Sequence, residues 1–461
     1  MSSLSDDIVA AIATPIGEGG ISVIRVSGKG ACGVVDRIFK GRHTLGSAAT
    51  HTAHFGTISG NDGKVIDQVI ATVFHSPHSY TGEETVELGC HGGVYVTRQI
   101  LNAVIDNGCR HAQPGEFTKR AFLNGRIDLV QAEAIADLIH AGSEAARKNS
   151  IEQLEGRLSR ELRELREELI RITGLLELEL DFVEEDIELT SKSEIGKFIG
   201  QEIQRIEKLV DSYKNGRIYR DGVKSVIVGR PNSGKSSLLN ALLRHDRAIV
   251  SIVPGTTRDT IEENIMIDGI LFRITDTAGL RQAIDYVEQE GIARAEKEIQ
   301  KADIIILVAD LTLTITEINE SINDFIEKTA VIVALNKKDL LEEKEIEMIL
   351  KKLKNQYQLP IIPVSAKMGL GIDELEKQMV SNIHLVSSEG SITLTNARHR
   401  DALVRGRESL KLALQSTESN LSDELIVIDL RAALNSIGEI IGETTTDDIL
   451  NRIFSSFCIG K

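Results

Sequence analysis

The stretch Gly222-Val-Lys-Ser-Val-Ile-Val-Gly-Arg-Pro-Asn-Ser-Gly-Lys-Ser236 leaves little choice of local fold. Val223 to Val228 is a β-branched apolar run, the pattern of a strand buried on both faces of a parallel sheet. It passes directly into Gly229-x-x-x-x-Gly234-Lys235-Ser236. Glycines here let successive backbone N–H groups close around a phosphate with no Cβ in the way. The Lys235 ammonium suits β- and γ-phosphate oxygens, and the Ser236 hydroxyl suits Mg²⁺. Leu238, Leu239, Ala241, Leu242 and Leu243 start a helix whose N-terminus faces the phosphates. A chance glycine-rich turn would have neither this strand before it nor this helix after it.

Four further stretches follow in the order a guanine-nucleotide site requires. Gly255-Thr-Thr-Arg-Asp259 precedes a strand at 261–267, and its Thr257 hydroxyl is placed for Mg²⁺. Asp276-Thr277-Ala278-Gly279 ends a strand at 270–275. Asp276 suits a water-mediated Mg²⁺ contact, and the Gly279 N–H suits the γ-phosphate. Asn336-Lys337-Lys-Asp339 ends a strand at 330–335. The Asp339 carboxylate can accept two hydrogen bonds from the guanine edge, which adenine cannot supply. Ser365-Ala366-Lys367 ends a strand at 361–364 and backs the base. Each tetrapeptide alone is an ordinary turn. All five in order, each at a strand end, define a GTP site on a doubly wound sheet.

Small signalling GTPases carry a water-orienting glutamine just after Asp-Thr-Ala-Gly. Leu280 stands there and cannot serve. The polar candidates in 281–292 are Glu288, Asp285, Glu290 and Arg281. Arg258 is better read as a loop or dimer-contact residue than as an arginine finger.

The chain has 461 residues, enough for roughly three domains. Residues 1–120 read as mixed α/β, with strands at Ile8–Ala13, Ile21–Val26, Asp67–Phe74 and Thr85–Leu88, a turn at 89–93 and a helix at 94–106. From 121 to 217 the pattern is helical. Leu158, Leu165 and Ile172 recur every seven residues, and Leu162, Leu169 and Leu176 follow each by four, as on a bundle-forming helix. The acidic run 181–188 reads as a solvated connection, and 195–210 as one more helix. Residues 218–384 hold the nucleotide motifs. Helical pattern then returns over 385–461, at 396–416, 422–442 and 446–457. A helical domain interrupted by an inserted nucleotide domain is the simplest architecture. The expected class is therefore α/β plus α.

No apolar run is long enough to span a membrane, no secretion signal leads the chain, and four scattered cysteines have no metal spacing, so a reduced cytoplasmic compartment is expected. Histidines 51, 54, 75, 78 and 91 have no sequence-adjacent cysteine or carboxylate partners and read as loop or strand-end residues. A protein that grips nucleic acid by itself usually shows a basic face; at a net charge of −16, local basic patches or a partner must supply most of the phosphate contacts to any RNA.

The sequence resembles the MnmE (TrmE) family of tRNA modification GTPases. The resemblance is carried by 229–237, 254–259 and 276–281. Outside the nucleotide motifs it is carried by Pro-Gly-Glu-Phe at 114–117, Ala-Phe-Leu-Asn-Gly-Arg-Ile-Asp-Leu at 121–129 and the terminus Arg-Ile-Phe-Ser-Ser-Phe-Cys-Ile-Gly-Lys at 452–461. It implies an N-terminal domain (1–120) that dimerises and binds a formylated tetrahydrofolate such as 5-formyltetrahydrofolate. It also implies a helical domain (121–217 and 385–461) carrying an inserted G domain (218–384). The family works as a homodimer with an FAD-dependent partner, MnmG, in a heterotetramer or larger complex. Together they place an aminomethyl or carboxymethylaminomethyl group on C5 of the wobble uridine of certain tRNAs. Hydrolysis there uses K⁺ and paired G domains in place of an arginine finger. Two rival readings stand: a ribosome-assembly or translation-linked switch without one-carbon chemistry, and a non-catalytic scaffold whose G domain only gates binding.

By position, the resemblance makes Asn232, Ser251 and Val253 (backbone) and Thr256 the K⁺ ligands, and Ser236 and Thr257 the Mg²⁺ ligands. Glu288 becomes the residue that orients water. The implied GTP set is Asn232, Ser233, Gly234, Lys235, Ser236, Ser237, Ser251, Ile252, Val253, Pro254, Gly255, Thr256 and Thr257, with Asp276 to Gly279, Asn336, Lys337, Asp339, Ser365, Ala366 and Lys367. Arg25, Glu87, Arg126 and Lys461 match folate-contacting positions. Read without the family, Arg25, Glu87 and Arg126 are ordinary surface or salt-bridge residues. Arg126 replaces a lysine of some members, which keeps charge and changes geometry. Cys458 resembles a prenylation box poorly, because Gly460 and Lys461 follow it. The family makes it a candidate reactive thiol on a tail that reaches a cleft.

Overall fold

The computed structural model describes residues 7–181, 191–245, 262–276, 296–326, 330–383, 392–419, 421–455 and 457–461. The loop 251–258, Thr277 to Arg281, Asp285, Glu288, Glu290 and all but the first residue of the acidic run lie outside these. The chain forms two compact units. One gathers residues 1–139, 150–207 and 401–461, and the other 140–149 and 208–400.

The first unit is built on a seven-stranded sheet. Its strands are β1 (Val9–Ile12), β2 (Gly19–Ser27), β3 (Phe39–Gly41), β4 (Thr52–Ser59), β5 (Val65–Phe74), β6 (Thr85–Gly92) and β7 (Arg110–His111), in the order β3-β4-β5-β6-β2-β1-β7. All neighbours are antiparallel except β1 and β7. Side chains alternate across a strand, so Ile24, Val26, Val86 and Leu88 enter one buried core while Arg25 and Glu87 point to the opposite face. Helices Ala31–Asp36 and Val94–Asp106 cover the apolar face. β6 runs on through Gly92, so the expected turn at 89–93 is strand up to its last residue, paired with Gly19. His54 and His91 accordingly lie within strands.

The same unit contains the long helix Arg157–Asp181, whose six heptad residues Leu158, Leu162, Leu165, Leu169, Ile172 and Leu176 are all buried. It packs along Asp423–Ile441. Truncating any one of those leucines to alanine would cost about 2–5 kcal/mol. Helix Asp447–Ser455 packs on Glu116–Leu123, where Lys119 Nζ donates to Asn451 Oδ1 at 2.8 Å. The C-terminal segment is thereby anchored to the sheet domain.

The second unit holds a six-stranded sheet of β8 (Val223–Val228), β9 (Glu262–Ile267), β10 (Ile270–Asp276), β11 (Ile304–Asp310), β12 (Val331–Asn336) and β13 (Ile361–Pro363). Their order is β13-β12-β11-β8-β10-β9, parallel except at β9. β8, β11 and β12 are almost wholly buried. Separate apolar clusters fill the two faces, which explains the continuous rather than alternating apolar runs. Helix Lys192–Asp221 continues past residue 217 and leads by Gly222 into β8. No described helix is long and apolar enough to cross a membrane.

Candidate functional site

The parallel strands of the second unit deliver their carboxyl ends to one rim. A cleft of about 690 Å³ opens there, lined by the loop after β8 (Gly229, Pro231, Asn232, Gly234), by Lys235, Ser236 and Ser237, and by Asn336, Lys337, Asp339, Leu340, Ala366 and Lys367. Ligands of open α/β sheets bind at such a rim. The loop adopts its cradle through Asn232 at φ 63 and Gly234 at φ 96. A Cβ on Gly234 would stand 2.1 Å from Asn336 Nδ2, so only glycine fits. Lys235 opens helix Lys235–His245, and its Nζ donates to the carbonyls of Gly229 and Arg230 at 3.0 and 2.9 Å. The ammonium is thus held over the loop. Ser236 and Ser237 are exposed at the helix N-terminus, and Ser233 is buried beneath the loop.

The base-side residues are locked to one another. Buried Asn336 donates from Nδ2 to the Ser233 carbonyl and accepts at Oδ1 from the Ala366 N–H, at 2.9 and 3.0 Å. Ser365 Oγ donates to Asp339 Oδ1 at 2.5 Å and accepts from the Met368 N–H at 3.2 Å. One Asp339 oxygen is therefore fixed from behind, and the carboxylate edge is exposed. Lys337, at φ 71, places Nζ 2.5 Å from Asp310 Oδ2 at the end of β11. Burial works to raise the Asp310 carboxyl, but hydrogen bonds from Lys337 and Thr312 hold it below the ordinary range. Sequence reading missed Asp310. An aspartate ending an apolar strand in the row with Asn336 was the available signal. The backbone of Asp276 ends β10 beside Ile227 of β8. The remaining members of the expected GTP set, and Glu288, lie outside the described residues.

A second polar group sits on the first unit's sheet. Arg25 and Glu87 are cross-strand partners in β2 and β6, with Arg25 Nε and Nη2 at 2.9 and 2.8 Å from Glu87 Oε1. The Arg25 guanidinium lies 5.0 Å from the Tyr80 ring centroid and 5.5 Å from that of Phe117. Its Nη1 is buried with no hydrogen-bond partner. Lys461 Nζ stands 6.0 Å from the same Tyr80 ring. Burial, then repulsion from Arg25, lowers the Lys461 pKa. Desolvation raises that of the Tyr80 phenol, whose oxygen lies 2.8 Å from Thr118 Oγ1. Exposed Arg126 packs its stem near Gly82, in the turn just before β6, the strand that carries Glu87. Cys458 is exposed, and its carbonyl accepts from the Gly115 and Lys461 N–H groups, each at 3.4 Å. Gly460, at φ 98, lets the tail pass β1, where a Cβ would meet the Ile12 carbonyl at 2.3 Å. Tyr80 carried no sequence signal beyond being aromatic, and Phe117 stood only as the end of the 114–117 stretch; the fold brings both to Arg25.

The parallel sheet, the phosphate cradle and the Asn-Lys-Lys-Asp rim together define a P-loop GTPase module. The comparisons extend this to the whole chain. A family model described as the MnmE helical domain matches residues 129–458, and one described as the GTP-binding protein TrmE N-terminus matches 8–126. Proteins named tRNA modification GTPase MnmE are similar over nearly the full length. That of Porphyromonas gingivalis is 45% identical, covering 100% of this chain and 99% of its own. That of Chlorobium luteolum is 43% identical, covering 98% and 97%. The G domain of the T. maritima FeoB iron transporter aligns with 35% of this chain and 98% of its own length, at 25% identity and TM-score 0.26. The chain belongs to the MnmE family of tRNA modification GTPases.

Proposed function

We propose that this chain is a K⁺-dependent GTP hydrolase acting in wobble-uridine modification. With an FAD-dependent partner of the MnmG kind, it adds an aminomethyl or carboxymethylaminomethyl group to C5 of that uridine, using a one-carbon unit from a formyl-tetrahydrofolate. Residues 218–384 act as the inserted G domain and 1–120 as the dimerising, folate-binding domain.

In this reading the cradle around Gly234 and Lys235 holds the β- and γ-phosphates, and Asp339, braced by Ser365, reads guanine. Ser236 and Thr257 would hold Mg²⁺, and Asn232, Ser251, Val253 and Thr256 would hold K⁺. Bound there, the cations neutralise charge growing at the phosphates. Glu288 orients the attacking water in place of the glutamine that Leu280 excludes.

The observation that carries the folate half is the orphaned Arg25 Nη1, buried between Glu87 and two aromatic rings with Lys461 nearby. Leaving such a donor unsatisfied costs about 1–3 kcal/mol or more, so a buried site that keeps one suits an acceptor-bearing ligand. The paired carboxylate suits the N–H edge of a pterin, and the cations suit an anionic tail. Titration calorimetry with 5-formyltetrahydrofolate tests this. Binding that falls at least tenfold in Arg25→Gln is expected. No binding by the unaltered protein would favour a GTPase switch without one-carbon chemistry.

A further inference from the structure

We propose that Cys32, His75 and Glu84 form a transition-metal site, best suited to Zn²⁺, in the N-terminal sheet domain. It is separate from the nucleotide cleft and uses none of the residues around Arg25. The three residues are scattered along the sequence, which is why spacing alone gave no metal pattern. The fold brings one Cys, one His and one carboxylate ligand atom within 4.8 Å of one another. A tetrahedral Zn²⁺ with bonds of 2.0–2.3 Å needs its ligand atoms roughly 3.3–3.8 Å apart, and the His75 Nδ1–Glu84 Oε1 pair already stands at 3.8 Å.

Two details favour a metal over a chance cluster. His75 Nε2 lies 2.8 Å from the Ala48 carbonyl, which only accepts, so Nε2 carries the proton. Nδ1 then presents its lone pair toward Glu84 Oε1, 3.8 Å away. A ring oriented by a backbone carbonyl through its other nitrogen is the usual support of a metal-bound histidine. Glu84 is braced likewise, since its Oε2 accepts the Gly30 N–H at 2.9 Å while Oε1 faces the ring. Thiolate, imidazole and carboxylate form a zinc-type donor set with one position open. A thiolate and a carboxylate balance the charge of the divalent ion. Binding displaces the Cys32 thiol proton to solvent. The Cys32 thiol is buried, near the start of helix Ala31–Asp36.

The test uses the full-length protein stripped with a chelator and titrated with Co²⁺, then with Zn²⁺. We expect one Co²⁺ per chain with a thiolate-to-cobalt charge-transfer band, displaced by Zn²⁺. The band should vanish in Cys32→Ser and persist in Cys458→Ser. His75→Gln changes a side chain that is one-third exposed and so spares the core. It should weaken binding by more than the ~10–100-fold that loss of a supporting partner costs. No charge-transfer band in the unaltered protein would overturn the proposal, as would a band unchanged in His75→Gln.

Discussion

Asn336 Nδ2 donates to the Ser233 carbonyl at 2.9 Å, tying the end of β12 to the phosphate loop that follows β8. The two halves of a nucleotide site, base rim and phosphate cradle, are thereby held in one geometry by a single buried amide. Replacing Asn336 by alanine leaves the Ser233 carbonyl and the Ala366 N–H without this partner. Nucleotide affinity should fall for GDP and GTP alike, on the order of tenfold or more for 1–3 kcal/mol. Fluorescent-nucleotide titration measures it, and equal affinity would show that the loop holds itself.

Base choice rests on Asp339. Asp339→Asn turns one acceptor oxygen into a donor while Ser365 still braces the side chain. Preference should move from GTP toward XTP in competition binding. An unchanged preference would mean that another residue reads the base.

Turnover should be faster in K⁺ than in Na⁺ at equal ionic strength. Asn232, held at φ 63 on the exposed crest of the loop, is the described residue assigned to the cation. Asn232→Ala should erase the difference between the salts. Glu288→Ala should slow turnover with binding retained, by about 10²–10³ if it contributes as transition-state stabilisers do. Equal rates in both salts for the unaltered protein would remove the K⁺ assignment.

Acid should weaken the junction between β7 and the helix that begins at Glu116. Burial works to raise the Glu116 carboxyl, but Arg110, the Gln113 N–H and Arg120 together hold it below its ordinary value. Arg110 grips both its oxygens, at 3.0 and 2.7 Å. A carboxyl whose pKa is lowered by folding stabilises the fold above its unfolded value, near pH 4.3, and that share is lost as pH falls through the folded value. Glu116→Gln should therefore cost about 1.5–3 kcal/mol in denaturant unfolding at pH 7. The gap from the unaltered protein should close below pH 4. A gap independent of pH would assign the loss to packing.

Strong periodicity was readable. The heptads of 157–181, the apolar strands ending at the nucleotide rim and the three C-terminal helices all carry one-dimensional signals, and each lies where its pattern places it. β3 and β4 did not show, because Phe39–Gly41 is only three residues long and β4 interleaves His54 and Gly56 with its apolar positions. The glycines and His91 disguised the end of β6 as a turn. The groups around Arg25 and around His75 are assembled by strand pairing and loop packing across tens of residues. Spacing along the chain does not record such contacts. Arg25 and Glu87 were named through family resemblance, whereas Tyr80, Phe117, Asp310 and the Cys32–His75–Glu84 cluster needed the fold.

The most direct measurement is mass spectrometry of tRNA nucleosides from cells that lack this chain, resupplied with the unaltered protein or with Cys458→Ser. Cys458 is exposed on the tail that ends at Lys461, outside the nucleotide cleft. Serine keeps its size and polarity, but its hydroxyl stays protonated near neutrality where a thiol can ionise. The C5-substituted wobble uridine should be missing without the chain, return with the unaltered protein and stay missing with Cys458→Ser, while the purified variant hydrolyses GTP at a near-normal rate. Intact wobble modification in cells without the chain would contradict the proposed function.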